Sequence, residues 1–382
     1  MTDDLHVAVV GAGGWGRGLV RHFATAERSY LRWICDRDEA TRTRLTRQYA
    51  TARPTADLED VLDDPGVDAV VIATPPDSHH AIARRALEAG KHVYVEKPMT
   101  LCALDAADLT RTARRVDRKL MVGHLLEYHP AVRHLKRLVD HDELGDIHYL
   151  YAQRVNLGVV RSEENAWWSL APHDLSVIGY LFGAEPTRVT LTGQCFLQPG
   201  VEDVVFATLD FADGRLAHVH VSWLDPHKIR KLTVVGSKRM ATFDDMEATE
   251  KVRIYDKGAT VRHAVTDYAE AVQLRTGEIV IPRIMPAEPL RLEVRHFIDA
   301  VLDDTPILSD GGDGERVVRI LEAGSRSLRS GGKPAEVAPD DVDTGASPAI
   351  RLGAGPRRVV ARADAARHRV GPNPNHPVCS ER

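Results

Sequence analysis

Cysteine is scarce in this chain of 382 residues, and the four present, Cys35, Cys102, Cys195 and Cys379, stand far apart. No pair has the close spacing of a zinc site or a secreted disulfide framework, so all four read as reduced thiols. Long apolar runs are missing as well. Nothing approaches the roughly 18 consecutive residues of a membrane span, and Met1-Thr2-Asp3-Asp4-Leu5 lacks the basic region of a secretory leader. The expected location is the cytoplasm, with no membrane partner. Positive charge is not in excess: 50 Lys+Arg against 55 Asp+Glu leave a net charge of −5, which argues against nucleic acid as the main partner. Residues 333–382 carry no aromatic side chain for base stacking and no apolar periodicity. Their Pro, Gly, Ala, Asp and Arg read as a solvated, disordered tail.

What is present is an ordinary globular composition, 43% hydrophobic and 27% charged, long enough for two or three domains. Residues 1–123 alternate short apolar runs with helical patterns, the signature of a doubly wound α/β fold with a parallel sheet covered on both faces. The runs are His6 to Val10, Leu31 to Cys35, Ala69 to Ala73, His92 to Val95 and Leu120 to Val122. Asp77-Ser78 offer cap oxygens to a helix over His79 to Glu88, which Gly90 closes. Residues 124–332 read as an α+β domain with a large, mostly antiparallel sheet. Its clearest hairpin pairs Val204 to Phe211 with Leu216 to Trp223 across Asp213-Gly214. Further strands are expected at Ile147 to Val155, Arg188 to Gln194, Lys231 to Val235 and Val252 to Tyr255, and helices at Pro130 to Val139, Glu288 to Leu302 and Gly314 to Leu328.

Gly11-Ala12-Gly13-Gly14-Trp15-Gly16 follows the first strand and opens a helix. In that setting the first glycine makes the turn, Gly13 admits a pyrophosphate, Gly16 lets helix and strand approach, and the helix start supplies N–H donors. Asp36, at the end of the second strand, suits an adenosine ribose and favours NAD. Arg37 beside it is able to hold the extra phosphate of NADP, so that cofactor stays open. Glu96-Lys97-Pro98 lies at the carboxyl end of the fourth strand, where ligands of open α/β sheets bind, although Glu-Lys is also a common surface turn. Pro172 suits a first helical turn, which puts His173 at a helix start. There His173 is either a satisfied cap or a proton acceptor for a hydroxyl. Arg154, Asn156, Arg161 and Asn165 upstream supply polar groups for a polyol or anion. Together with Trp168 they fit a substrate or brace the loop at Asn165 equally well.

In this order the pieces resemble the Gfo/Idh/MocA family of nicotinamide-dependent sugar and polyol oxidoreductases. The resemblance spans residues 6–332. It rests on Gly11 to Gly16, Ala73-Thr74-Pro75-Pro76 with His79, Glu96-Lys97-Pro98, Pro172-His173-Asp174 and the segment from Glu288-Pro289-Leu290 to Phe297. Val122-Gly123-His124-Leu125, His129-Pro130-Ala131-Val132 and Arg154-Val155-Asn156-Leu157-Gly158 with Glu164-Asn165 are most similar to members that oxidise C3 of nucleotide-linked N-acetylated hexuronates. Antibiotic-pathway sugar dehydrogenases are nearly as similar. The resemblance implies a Rossmann domain that holds NAD through the glycine loop, Trp15, Asp36, Thr74, Pro75, His79, Glu96 and Lys97. It further implies Lys97 and His173 as the proton-handling pair, with Ser169 where many members carry Asp. It also implies a homodimer or homotetramer built on the open sheet face.

The leading expectation is thus an oxidoreductase acting on a secondary alcohol of a sugar or nucleotide sugar. An inositol or cyclitol dehydrogenase and a catalytically inactive sugar-sensing protein of the same fold are the alternatives. No metal is expected, since His218 and His220 share a strand face without a third ligand at suitable spacing.

Overall fold

Two sheets organise the protein, and the computed structural model describes them over residues 4–162, 164–261 and 272–337. The first contains β1 (Leu5–Val10), β2 (Ser29–Cys35), β3 (Arg53–Thr55), β4 (Ala69–Ile72), β5 (His92–Val95) and β6 (Leu120–Val122). All its pairings are parallel, in the order β3-β2-β1-β4-β5-β6. The order reverses between β1 and β4, which opens a crevice over the carboxyl ends of the strands. Helices α1 (Gly16–Thr25), α2 (Glu39–Gln48), α3 (Leu58–Leu62), α4 (His79–Glu88) and α5 (Ala103–Arg115) connect these strands. The all-apolar β4 is wholly buried between the layers. The edge strand β3 is three residues long, too short to show a period, and is absent from the sequence reading.

Gly90 ends α4 as expected, with φ +76°. The expected cap of Asp77-Ser78 is not found. The chain enters α4 through a 3-10 turn at Pro76–Ser78, and the Ser78 hydroxyl donates to Thr74 Oγ1 and the Pro75 carbonyl, both at 2.7 Å.

After α6 (Pro130–Asp140) the second sheet takes in β7 (Ile147–Val155), β8 (Pro186–Gln194), β9 (Val204–Phe211), β10 (Leu216–Ser222), β11 (Ile229–Gly236), β12 (Met240–Asp244), β13 (Val252–Val261), β14 (Val272–Val280) and β15 (Ala335–Glu336). Their order is β14-β13-β12-β11-β7-β10-β9-β8-β15. The central β7–β10 pair is parallel and the other pairs are antiparallel. Because β15 pairs with β8, the folded chain runs past the expected limit at 332 and Val337 still donates to the Thr187 carbonyl. Two residues of strand leave no periodic signal. The rest of the expected tail, 338–382, lies outside the described residues. Cys35 and Cys195 are free, but Cys102 is disulfide-bonded, against the expectation of four reduced thiols. Spacing rules register close pairs alone, and Cys102 has none.

Three helices link the sheets: α7 (Ala166–Phe182), α8 (Pro289–Leu302) and α9 (Gly311–Arg329). The sequence reading starts α7 at Pro172, whereas the helix begins six residues earlier. Asn165 Oδ1 caps it by accepting from the Trp168 N–H at 3.1 Å, and Pro172 sits inside it. Burial of nearly the whole segment overrides the local preference of proline for a helix start. Helix α8 returns to the first domain. Its Leu290, Val294, Phe297 and Ile298 join Leu5, Val9, Phe23 and Tyr94 in one core, and Phe23, Tyr94 and Phe297 meet edge to face. The domain boundary therefore is crossed twice. Trp167, fully buried, ties α7 to α9: its indole donates to the Leu321 carbonyl at 3.0 Å, and Gly324 leaves room for the ring. Replacing Trp167 with Ala is expected to cost about 3–5 kcal/mol in stability, measured as a fall in the denaturant midpoint.

Candidate functional site

The glycine loop is shaped by two close approaches. A Cβ on Gly11 (φ +84°) would lie 2.7 Å from the Ala73 and Thr74 backbone, and one on Gly16 would lie 2.0 Å from the Gly11 carbonyl oxygen. Gly13 and Gly14 differ, since a Cβ on either meets nothing within 4 Å. They present open backbone at the start of α1, where N–H groups and the helix dipole favour an anion. Asp36 braces this loop with Oδ2, which accepts from Ala12 N at 2.7 Å. Arg37 is exposed, and Arg42 donates to the carbonyls of Asp36 and Arg37. Thr74 and Pro75 line the turn after β4. His79 is buried beneath them, with Nε2 2.8 Å from the Thr74 carbonyl and Nδ1 3.0 Å from that of Pro98. Burial holds its pKa below the ordinary value, so the ring donates to one of these carbonyls and packs against the other. An open, donor-rich loop with a carboxylate beside it fits a dinucleotide.

Trp15 reaches across this crevice: its indole N–H donates to Glu96 Oε1 at 2.5 Å. Burial pushes Glu96 up to about 7, against the opposing effects of the Trp15 hydrogen bond and the Lys97 charge. Behind it Glu293 of α8 is fully buried, neither carboxylate oxygen has a hydrogen bond among the described residues, and its pKa lies well above the usual range because of burial and the nearby Glu96. A neutral acid is the form that such a site accepts. The sequence reading placed Glu293 on a helix without a role.

Lys97 and His173, the expected pair, come together. Lys97 Nζ donates to the Ser169 carbonyl at 3.2 Å. Burial depresses the lysine pKa, Glu164 and Glu96 oppose the shift, and Arg161 and Arg154 add to it. His173 lies in mid-helix, its pKa far below 6.5 through burial reinforced by Lys97, Arg154 and His124. The imidazole is therefore neutral at pH 7. His124 follows β6, next to the carboxyl end of β5, where Gly123 N donates to the Val95 carbonyl. Its ring is buried, neither nitrogen has a hydrogen bond among the described residues, and burial next to Lys97 pulls its pKa down to about 3. Its place at a strand end was the available signal; the sequence reading used it only for the resemblance.

The other expected substrate residues divide. Arg154 is buried and forked onto Asp174 at 2.7 and 2.9 Å, so this edge of the guanidinium is engaged within the protein. Arg161 is exposed and pairs with Glu164 at 3.1 Å, next to Lys97. Asn156 is partly buried where β7 ends. Asn165 and Trp168 take the bracing role: Asn165 caps α7 and donates to Glu202 at 2.7 Å, and the Trp168 indole donates to Ser325 Oγ at 2.9 Å. Ser169 is buried and contributes its carbonyl. His218 and His220 lie on the outer sheet face, where His220 stacks on Phe206 at 4.3 Å. Among the described residues no three metal-ligating side chains gather.

Residues 5–124 match the Gfo/Idh/MocA oxidoreductase family, NAD-binding Rossmann fold, and residues 132–242 match the Gfo/Idh/MocA C-terminal domain. UDP-N-acetylglucosamine 3-dehydrogenase of Acidithiobacillus ferrooxidans is 28% identical over 316 residues, covering 82% of this chain and 94% of that one. The NAD(+)-dependent scyllo-inositol 2-dehydrogenase of Bacillus subtilis is 25% identical, covering 87% and 96%. Among solved structures, GenD2 from gentamicin A biosynthesis, in complex with NAD, superposes with a TM-score of 0.74 at 27% identity, covering 88% of this chain and 97% of that one.

Because the space over Gly13 is open, Gly13→Val is expected to leave the melting temperature unchanged while weakening NAD binding at least about tenfold. Titration calorimetry checks the affinity, and undiminished binding would remove Gly13 from the cofactor site.

Proposed function

The chain belongs to the Gfo/Idh/MocA family of oxidoreductases, and from that premise we propose that it interconverts a secondary alcohol and a ketone on a sugar, with C3 of a nucleotide-linked hexose or hexuronate as the leading position. That it is an NAD(P)-dependent oxidoreductase of CH–OH groups follows from its relatives. The observation that carries the proposal is the meeting of Lys97 with the helix of His173 over the carboxyl ends of β5 and β6. The UDP-N-acetylglucosamine 3-dehydrogenase supports the nucleotide-sugar reading, and GenD2 supports an antibiotic amino sugar as the variant of it. The inositol relative supports a cyclitol as the second reading.

Gly11 to Gly16, Asp36, Thr74 and Pro75 would hold NAD, which supplies the hydride acceptor for the oxidation. His173, neutral at pH 7, accepts the hydroxyl proton and returns it in the reverse direction. The Lys97 ammonium stabilises the developing alkoxide in a water-poor cleft. Arg161, beside an exposed loop, is the cation best placed to meet an anionic substituent.

Lys97→Met and His173→Ala are each expected to keep NAD affinity and lose at least about a hundredfold in turnover. The readout is absorbance at roughly 340 nm, with NAD and NADP paired against nucleotide sugars, free aminosugars and inositols. Retained turnover in either variant would remove that residue from the mechanism. The pH profile follows from the same pair. Oxidation needs neutral His173 and charged Lys97, so activity falls on the acid side as His173 gains its proton, below the ordinary histidine value of 6.5. On the basic side it falls as Lys97 loses its proton, below the ordinary 10.5.

We further propose a homo-oligomer through the outer face of the second sheet. Tyr149, Tyr151, Phe206 and Leu216 are exposed there, on the neighbouring central strands β7, β10 and β9, while the opposite face is covered by helices. A second copy offers the same aromatic face. Tyr151→Asp with Phe206→Asp is expected to give a monomer by light scattering, and an unchanged assembly would place the interface elsewhere.

A further inference from the structure

The cleft holds a third basic side chain that the roles of Lys97 and His173 leave unused. His124 directly follows Gly123, whose N–H extends the parallel ladder by donating to the Val95 carbonyl at 2.8 Å. That register sets His124 beside Glu96 and Lys97. A Cβ on Gly123 would lie 3.1 Å from the Glu96 carboxyl carbon and 3.0 Å from the Tyr94 hydroxyl, so the two strand ends are in close contact. The imidazole is buried, and among the described residues neither ring nitrogen has a hydrogen-bond partner. Lys97 is near enough for its charge to act on His124, and His124 is near enough to act on His173. Arg316 of α9 acts on it as well, and is itself paired with Asp313 and Glu185. A proton on His124 is thus opposed by two cations, and the neutral ring keeps one nitrogen as a donor and the other as an acceptor.

A buried polar group without a partner costs stability, and folded proteins carry few of them. His79 shows the ordinary outcome, since it is just as buried and both of its nitrogens lie within 3.0 Å of carbonyls. An apolar side chain at position 124 would fill the same space without that cost. The unpaired imidazole is therefore explained by a polar atom that arrives with a ligand. Resting on the sugar-oxidising reading above, we propose that His124 is a substrate-binding residue that hydrogen-bonds the hydroxyl on a carbon adjacent to the reacting one, so that the enzyme selects substrates with two neighbouring oxygens. Lys97 and His173 are both committed to the reacting oxygen, which leaves a neighbouring substituent to meet His124. On an N-acetylated hexose oxidised at C3, C2 carries the amide, and the hydroxyl in question is the one at C4. A hydroxyl both donates and accepts, so it suits either nitrogen of the ring.

The test compares His124→Phe with the parent protein on two substrates, the best member of the panel and its analogue lacking the adjacent hydroxyl. In the parent, kcat/KM is expected to fall at least about a hundredfold when that hydroxyl is removed, as in a site built to hydrogen-bond it. In His124→Phe the intact substrate is expected to lose at least about thirtyfold, and the preference for it to shrink to within about threefold, the mark of two groups that act on each other. NAD affinity stays unchanged, and the melting temperature does not fall, because a phenyl ring needs no partner. His124→Gln keeps a donor and an acceptor; it is expected to recover part of the preference, and it carries the comparison if the phenylalanine variant does not fold. A parent that accepts the analogue as well as the intact substrate, a variant with the parent's preference, or a loss confined to NAD affinity would each overturn the proposal. A second readout needs no turnover. In protein carrying isotope-labelled histidine, the His124 ring signals are identified by nuclear magnetic resonance from their absence in His124→Phe. They are expected to stay in place when NADH alone is added and to shift when the best panel member follows, or UDP-N-acetylglucosamine where none turns over. If the parent shows no turnover across the panel, the enzymatic reading fails and the shift alone decides: signals unmoved by the sugar would remove His124 from the substrate site.

Discussion

Burial of ionisable groups at the carboxyl ends of β5 and β6 is the constraint on which the rest of the site depends. Removing charge from water raises the pKa of acids and lowers that of bases, so the same low-polarity pocket acts on Glu96, Glu293, Lys97, His124 and His173 at once. Glu96 is brought to about 7, and His173 is kept as a free base. Lys97 is pulled below the ordinary lysine value by the same burial, with Glu164 and Glu96 opposing the shift. Perturbed groups of opposite kind gathered in one crevice are what acid-base chemistry at neutral pH requires.

That pocket exists because the chain does not respect its own domain boundary. The α8 helix comes from the far end of the sequence and packs Phe297 against Phe23 and Tyr94, which delivers Glu293 behind Glu96. In the other direction Lys97 leaves the first sheet and reaches α7 of the second. The crevice is thus walled by both sheets, and the buried Arg154–Asp174 pair stiffens the wall. Such a pair adds little net stability, yet breaking it by removing one partner would leave a buried charge unmatched.

Trp15 gives the dinucleotide loop a second connection. Its indole spans from the start of α1 to Glu96, so a side chain of the glycine loop also touches the residue next to Lys97. His79, buried between the Thr74 and Pro98 carbonyls, packs the two turns together in parallel. Together they tie the turns after β4 and β5 to the glycine loop, and the crevice keeps its shape without relying on any one loop.

The sequence by itself determined the features that depend on local chemistry. Short β-branched runs specified the parallel strands, with β5 and β6 read at their true limits. The spacing of Gly11, Gly13 and Gly16 after a strand specified the dinucleotide turn, and Glu96-Lys97-Pro98 specified a lysine at a strand end. These are legible because backbone conformation and side-chain period are set by near neighbours. The edge strands β3, β14 and β15 and the internal β12 were not legible; β3 and β15 are too short to show alternation, and β14 is exposed over residues 273–280. Only the tertiary structure decided that Asn165 and Trp168 brace α7, that Arg154 pairs with Asp174, that Pro172 lies inside a helix, and that His124 and Glu293 reach the buried site. Each of those outcomes depends on which distant groups compete for a hydrogen bond or for exclusion from water, and that competition is settled when the two sheets pack together, not by residues adjacent in the chain.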